Sequence, residues 1–194
     1  MKKILVIGAT GAQGGGVVRA LLARNQFSVK ALTRNPGSDK AKALSYLGAE
    51  VVAGDLHDVE SLERAMKDVD GVFAVTNFWE VLSTQVEKQQ AKNIAEACFK
   101  NQVKHVVWST LEDTRSYIPE DYDAMPMLGS NYRVPHLDCK NEANKYFSDV
   151  PTTYLITSFF WDNLINFGMS PKKNESGTYD YIMPFGDKLL AGHV

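Results

Sequence analysis

The chain predicts an α/β domain built on one doubly wound parallel sheet with helices on both faces. Three observations predict it. A short apolar run, Lys3-Ile4-Leu5-Val6-Ile7, passes directly into Gly8-Ala9-Thr10-Gly11-Ala12-Gln13-Gly14 and then into a helical pattern. Strand-like and helix-like segments alternate from there to residue 156. Several of the helices are bounded by recognisable capping residues. Alternation on this scale needs parallel strands joined by helical crossovers.

The elements follow in order. Residues 3–7 are the first strand and 11–24 the first helix. Ser28 to Thr33 is the second strand, rich in β-branched and apolar residues. Residues 38–47 form a helix that Gly48 ends, a residue suited to the left-handed turn after a helix. Glu50 to Ala53 is the third strand. Asp58 caps the next helix and Glu60 favours its first turn. Val59, Leu62, Ala65, Met66 and Val69 recur on one face there. Gly71 to Val75 is the fourth strand. The helix over 83–100 carries Ala91, Ile94, Ala95 and Cys98 on its apolar stripe. Lys104 to Trp108 is the fifth strand, 136–148 a helix and Thr152 to Ile156 the sixth strand. Residues 111–135 lack periodicity and hold several Tyr, Met and Pro residues. A connection this long is a functional loop or lid, or simply a long surface loop. Beyond 168, glycines and prolines flank one further strand at Tyr179 to Ile182. The chain stops without a closing element. The expectation is one Rossmann-type domain over 1–194, in which 158–194 begin a C-terminal lobe that is largely missing.

Composition sets outer bounds. With 194 residues, 44% hydrophobic and 23% charged, the chain can bury a substantial core. A net charge of -2 offers no basic field, so direct nucleic-acid binding is not expected. No apolar run approaches the ~20 residues of a membrane span. Lys2-Lys3 precedes too short an apolar run for a signal peptide, so the cytoplasm is the expected compartment, and the Asn174-Glu175-Ser176 sequon is discounted. Two cysteines, Cys98 and Cys139, support neither a disulfide framework nor a metal site.

The glycine turn is the main chemical signal. Gly8 permits a sharp turn off the strand, Gly11 lets backbone N–H groups approach an anion, and Gly14 lets the helix pack close to the sheet. The helix N-terminus then faces a dinucleotide pyrophosphate. Gly15 and Gly16 continue the run, and each helical Gly costs about 1 kcal/mol relative to Ala. That cost points to a need for close backbone approach. An NAD site would place a carboxylate at the end of the second strand, but the chain there reads Thr33-Arg34-Asn35. Arg34 suits the 2′-phosphate of NADP(H), with Lys40 as a helper; the alternative is a solvated surface arginine. Asp55 is either an adenine-edge contact or a turn residue. Val75-Thr76-Asn77-Phe78 would border the cofactor ribose, and Ser109-Thr110 would face the cleft.

Together these segments resemble the NmrA-like family of the atypical short-chain dehydrogenase/reductase superfamily. The matching stretches are Gly8 to Gly14, Leu32 to Pro36, Gly48 to Asp55, Val75 to Glu80, His105 to Ser109 and Phe159 to Leu164. The resemblance implies an NADP-binding Rossmann fold. It implies Gly11, Gln13 and Gly14 on the pyrophosphate and Arg34 on the 2′-phosphate, and Gly8, Thr10 and Ala12 of the same motif are cofactor-contact candidates with them. By the same resemblance Thr76, Asn77 and Phe78 would flank the ribose and ring, and Lys140 would bind the nicotinamide ribose; Asp55 is a further cofactor-contact candidate on its adenine-edge reading alone.

Dehydrogenases of this superfamily use Tyr-x-x-x-Lys on a helix, which stacks both side chains on one face and lowers the tyrosine pKa. Here the spacing reads His136-Leu137-Asp138-Cys139-Lys140. Tyr132 lies about two turns from Lys140, beyond Pro135. Three readings follow. The chain is a redox-sensing or regulatory NADP(H) binder, acting through a protein partner or homodimer. Or it is a reductase of the isoflavone-reductase type, with Lys140 or His136 as acid/base. Or it is a fragment without independent function.

Overall fold

The computed structural model describes residues 1–118, 122, 126–128, 132–158, 160–166 and 170–180. Residues Met1–Ile156 form one compact unit and Thr157–Val194 a second.

In the first unit six parallel strands, β1 (Lys2–Val6), β2 (Phe27–Thr33), β3 (Glu50–Ala53), β4 (Gly71–Ala74), β5 (His105–Thr110) and β6 (Thr152–Ile156), lie in the order β3-β2-β1-β4-β5-β6. Val6 pairs with Ala31 on one side and Phe73 on the other. The strand order therefore reverses between β1 and β4. Ligands of such sheets bind at that reversal, beyond the strand carboxyl ends. The fold is the expected doubly wound sheet.

Strand alternation builds a core on each face. Leu5, Ile7, Val72 and Ala74 join the cluster made with α3 (Val59–Met66) and α5 (Thr84–Lys100). Val6, Phe73, Val29 and Ala31 join the cluster under α1 (Ala12–Ala23) and α2 (Asp39–Tyr46). Trp108 is wholly buried, stacks on Phe147 at 4.8 Å and donates Nε1–H to Asn144 at 2.9 Å. Lys30, inside β2, is buried yet satisfied: its Nζ donates to the carbonyls of Ala65 (3.2 Å) and Lys67 (3.1 Å) at the end of α3. A cation there complements the helix dipole.

The Asp58 cap and the Gly48 stop agree with the sequence: Asp58 accepts from the backbone N–H of Ser61, and Gly48 adopts φ +101 after α2; Ser38, expected inside the second helix, is instead its cap and accepts from the Ala41 N–H. Other boundaries move. The helix expected over 136–148 is α6 (Pro135–Glu142) continued by a 3-10 segment, Ala143–Phe147. Proline supplies the first helical residue of α6, where its missing N–H costs nothing. The fifth strand runs on through Ser109 and Thr110. In the first unit two short elements of the described residues went unpredicted, α4 (Phe78–Val81) and a 3-10 turn at Thr114–Ser116, because single turns carry no readable periodicity. Much of the 111–135 connection lies outside the described residues.

The second unit contains α7 (Asn163–Asn166) and a hairpin of β7 (Lys172–Lys173) with β8 (Tyr179–Asp180). Within its aromatic segment Phe159 lies outside the described residues, as do Tyr181 and Ile182 of the expected last strand.

The glycine-rich run divides in two. A Cβ at Gly14 would lie 2.3 Å from the Gly8 carbonyl oxygen, so no other residue fits there without backbone movement. At Gly16 a Cβ would meet no heavy atom of the described residues within 4 Å beyond its chain neighbours and the backbone of its own helix. Close approach thus requires glycine at Gly14 and not at Gly16. Gly16→Ala is expected to raise unfolding free energy by about 0.5–1 kcal/mol, whereas Gly14→Ala lowers it. Urea unfolding of the two variants reads both signs.

Candidate functional site

Three clusters meet the carboxyl edge of the sheet. The first is the glycine turn. Gly8 has φ +67, and its carbonyl accepts from the Gly11 N–H at 2.9 Å. A Cβ at Gly8 would also press within 2.8 Å of the Val75 methyl. Gly11 precedes α1 in extended conformation, and among the described residues no side chain caps that helix. Its first N–H groups therefore point out of the turn as donors for an anion. Thr10 lies in the same turn and Ala12 is the first residue of α1. Gln13 reaches across to β5, donating Nε2–H to Ser109 Oγ at 2.8 Å. Thr110 points the other way, bonding Asn144 Oδ1 at 2.8 Å.

The second cluster lies past β2 and β3. Arg34 lines a shallow, open cavity of about 350 Å³ with Gly54, Asp55, Asp58, Ser61 and Arg64. Arg34 Nη1 is 2.5 Å from Glu80 Oε1 on α4. Asp55 is a turn residue as well, since Oδ1 accepts from the His57 N–H at 2.9 Å. Arg64 was not anticipated, and Lys40 does not line this cavity.

The third cluster lies past β4. Lys140 is 7% exposed and Glu87 is 0% exposed. Lys140 Nζ pairs with Glu87 Oε1 at 2.7 Å. It also donates to the Thr76 carbonyl at 2.9 Å and the Thr76 hydroxyl at 2.8 Å. The Thr76 hydroxyl donates to Glu87 Oε1 at 2.6 Å, and Cys139 Sγ to Glu87 Oε2 at 3.3 Å. An ammonium has three N–H bonds, and here three acceptors inside the protein meet them. The carboxylate is likewise filled on both oxygens. Sequence reasoning missed Glu87, although a signal existed. It stands four residues before Ala91, on the apolar stripe of α5, where an acidic residue needs a buried partner.

Around this pair, Phe78 turns inward against Tyr132 and Cys139. Asn77 is exposed at the start of α4. The His136 ring lies 4.9 Å from Trp79 and 6.0 Å from Phe78. Burial lowers the His136 pKa below its usual value near 6.5, which leaves the ring neutral at pH 7. Burial also raises the thiols, Cys98 to about 12 and Cys139 further, so neither is a reactive thiolate at neutral pH. Tyr132 is placed away from Lys140: its hydroxyl donates to Glu142 at 2.7 Å and accepts from Lys88 at 2.8 Å. Arg115 bonds the other Glu142 oxygen. Among the described residues no group of side chains is arranged to hold a metal ion, and no helix is long and apolar enough to cross a membrane.

These features define a dinucleotide-type Rossmann domain: a parallel sheet with its switch point at β1/β4, a glycine turn whose Cβ space is closed, and an uncapped helix start. The particular family follows from comparison with known proteins. The sequence model of the NmrA-like family matches residues 1–193, and the chain belongs to that family. An NmrA-like family domain-containing protein of Dictyostelium discoideum is 32% identical over 190 residues, covering 94% of this chain and 59% of the relative. An NmrA-like family domain-containing oxidoreductase, notA', of Aspergillus versicolor is 43% identical over 122 residues, covering 60% of this chain and 34% of the relative. The chain thus spans between a third and three-fifths of the length of these two relatives. Among solved structures, the negative transcriptional regulator NmrA in complex with NAD superposes with a TM-score of 0.70 at 20% identity, over 92% of this chain and 52% of that one. Citrobacter sp. triphenylmethane reductase complexed with NADP(H) gives 0.59 at 24% identity, over 87% and 53%. The two neighbours share the fold, and one holds NAD, the other NADP(H).

Two stability predictions follow from the third cluster. Lys140→Met alone strands Glu87 in the interior and is expected to cost about 3–5 kcal/mol, while Lys140→Met with Glu87→Leu recovers most of it. Chemical denaturation of the single and double variants measures this. Burial tends to raise the Glu142 carboxyl, but hydrogen bonds from Tyr132, Lys88 and Arg115 outweigh it and hold the folded value below 4.5. A depressed folded value means the contribution is complete above the unfolded value and is lost as pH falls through the folded one. Glu142→Gln should therefore flatten stability loss below pH about 4.5, read by urea midpoints from pH 7 to 3.

Proposed function

We propose that the chain binds NADP(H) across the β1/β4 switch point and responds to it as a regulatory protein rather than a dehydrogenase. One observation carries the regulatory half of this reading. Lys140, the residue in the superfamily's proton-transfer position, has all its donors spent on Glu87 and Thr76, and the tyrosine four residues earlier is His136. A lysine locked in this way holds the loop after β4 as a fixed cation. It meets a nicotinamide ribose only by exchanging one of those bonds. The cofactor half rests on the closed Cβ space at Gly14, the open start of α1 and the cavity lined by Arg34. Arg34 supports NADP(H) over NAD(H), since a planar guanidinium recognises a phosphate through charge-assisted hydrogen bonds. Bound nicotinamide would supply a hydride carrier at this edge. The neutral His136 ring, Phe78 and Trp79 would shape the space around it and exclude water. A cofactor-dependent response requires two conformations that bind the cofactor unequally, and a second copy or a protein partner would read the difference.

A second reading, an NADPH-dependent oxidoreductase with Lys140 or His136 as acid/base, draws support from the name of the Aspergillus versicolor relative. Turnover separates the two. The regulatory reading expects no steady NADPH oxidation with carbonyl or quinone substrates. Turnover that disappears in the folded Lys140→Met/Glu87→Leu variant establishes the second reading. Calorimetric titration is expected to show NADP⁺ and NADPH binding about ten- to a hundredfold more tightly than NAD⁺ and NADH, a gap that Arg34→Ala closes.

A further inference from the structure

Arg34 is not idle in this structure. Its guanidinium already holds a carboxylate, Glu80 Oε1, at 2.5 Å. The same guanidinium lines the cavity past β3, beside Gly54 and Asp55. We propose that Glu80 sets the preference of this site between phosphorylated and unphosphorylated dinucleotides, by occupying the arginine that the 2′-phosphate must take. The inference rests on the cofactor reading above.

Glu80 and a 2′-phosphate compete for the same guanidinium. Both side chains are largely exposed, 63% for Arg34 and 44% for Glu80. The pair is therefore weakly held and can open. A phosphate monoester carries about −1.5 to −2 charge and three acceptor oxygens, so it displaces a monoanionic carboxylate from a guanidinium. Asp55 lines the same cavity and keeps a carboxylate near the incoming phosphate, whereas Asp58 is paired there with Arg64 at 3.8 Å. Each effect weakens binding of the 2′-phosphorylated dinucleotide and leaves a 2′-hydroxyl untouched. Glu80 thus narrows the gap that Arg34 opens.

Glu80 sits on a turn that also reaches the other end of the site. α4 is four residues long and ends at Leu82 in left-handed conformation, φ 48. On that turn Phe78 packs against Tyr132 and Cys139, and Trp79 lies against His136. Release of Glu80 from Arg34 removes a tether of α4 when the 2′-phosphate binds and not when it is absent.

The test is a double-mutant cycle on the full chain, with NADP⁺ and NAD⁺ titrated calorimetrically into wild type, Glu80→Gln, Arg34→Ala and the double variant. Glu80→Gln is expected to tighten NADP⁺ about two- to fivefold, the scale of an exposed ion pair, with NAD⁺ unchanged. In the Arg34→Ala background Glu80→Gln should alter neither nucleotide. Unchanged or weakened NADP⁺ binding in Glu80→Gln overturns the inference while leaving the cofactor reading standing. So does an equal change for both nucleotides, which marks a merely structural role for α4. Binding of neither nucleotide to wild type and Glu80→Gln removes the cofactor reading and this inference with it.

Discussion

The carboxyl edge of this sheet depends on one buried ion pair. Lys140 from α6 and Glu87 from α5 meet at 2.7 Å, with the Thr76 backbone and hydroxyl completing the group. Three separate elements, the end of β4, the first turns of α5 and the middle of α6, are fixed relative to each other through it. Charges taken out of water are tolerated only when paired and fully hydrogen-bonded, and this group meets both conditions. The proposed function turns on this, because the lysine at the superfamily's proton-transfer position is also the residue that holds the loop.

The rest of the edge is built by other means. The glycine turn is a steric device: the Gly8 carbonyl leaves no room for a side chain at the buried Gly14, so the first turn of α1 packs directly on the turn that leaves β1. The far end is an electrostatic device with exchangeable parts, Arg34 and Glu80. Between them Phe78, Trp79 and His136 form an aromatic wall, its histidine kept neutral by burial. A rigid centre flanked by an open donor turn and an exchangeable cation suits binding and discrimination of a dinucleotide.

How far the sequence revealed this follows from the range of each interaction. The six strands, the Gly48 helix stop and the Asp58 cap were legible because they depend on neighbours within a few residues. The family was legible because its motifs lie in those local segments. Glu87 and Lys140 are far apart in the chain, and a glutamate on a long helix reads as a solvated residue unless its place on the apolar stripe is noticed. Glu80 was quoted only as part of a motif, and its partner is set by the path of α4, too short to show a period. Lys30 gave no warning that it would end α3 from inside a strand. Gly16 misled in the opposite direction, since local glycine content suggested a close approach that exists only at its neighbours.

The central claim is that one dinucleotide spans this edge from the glycine turn to the Arg34 cavity and the loop after β4. Backbone-amide NMR of the ¹⁵N-labelled chain, titrated with NADP⁺, tests it residue by residue. The account predicts shift changes at Gly8 to Gly14, at Arg34 and at Thr76 to Phe78, all saturating with one affinity. Shifts confined elsewhere, or saturating with different affinities at the three places, would contradict it.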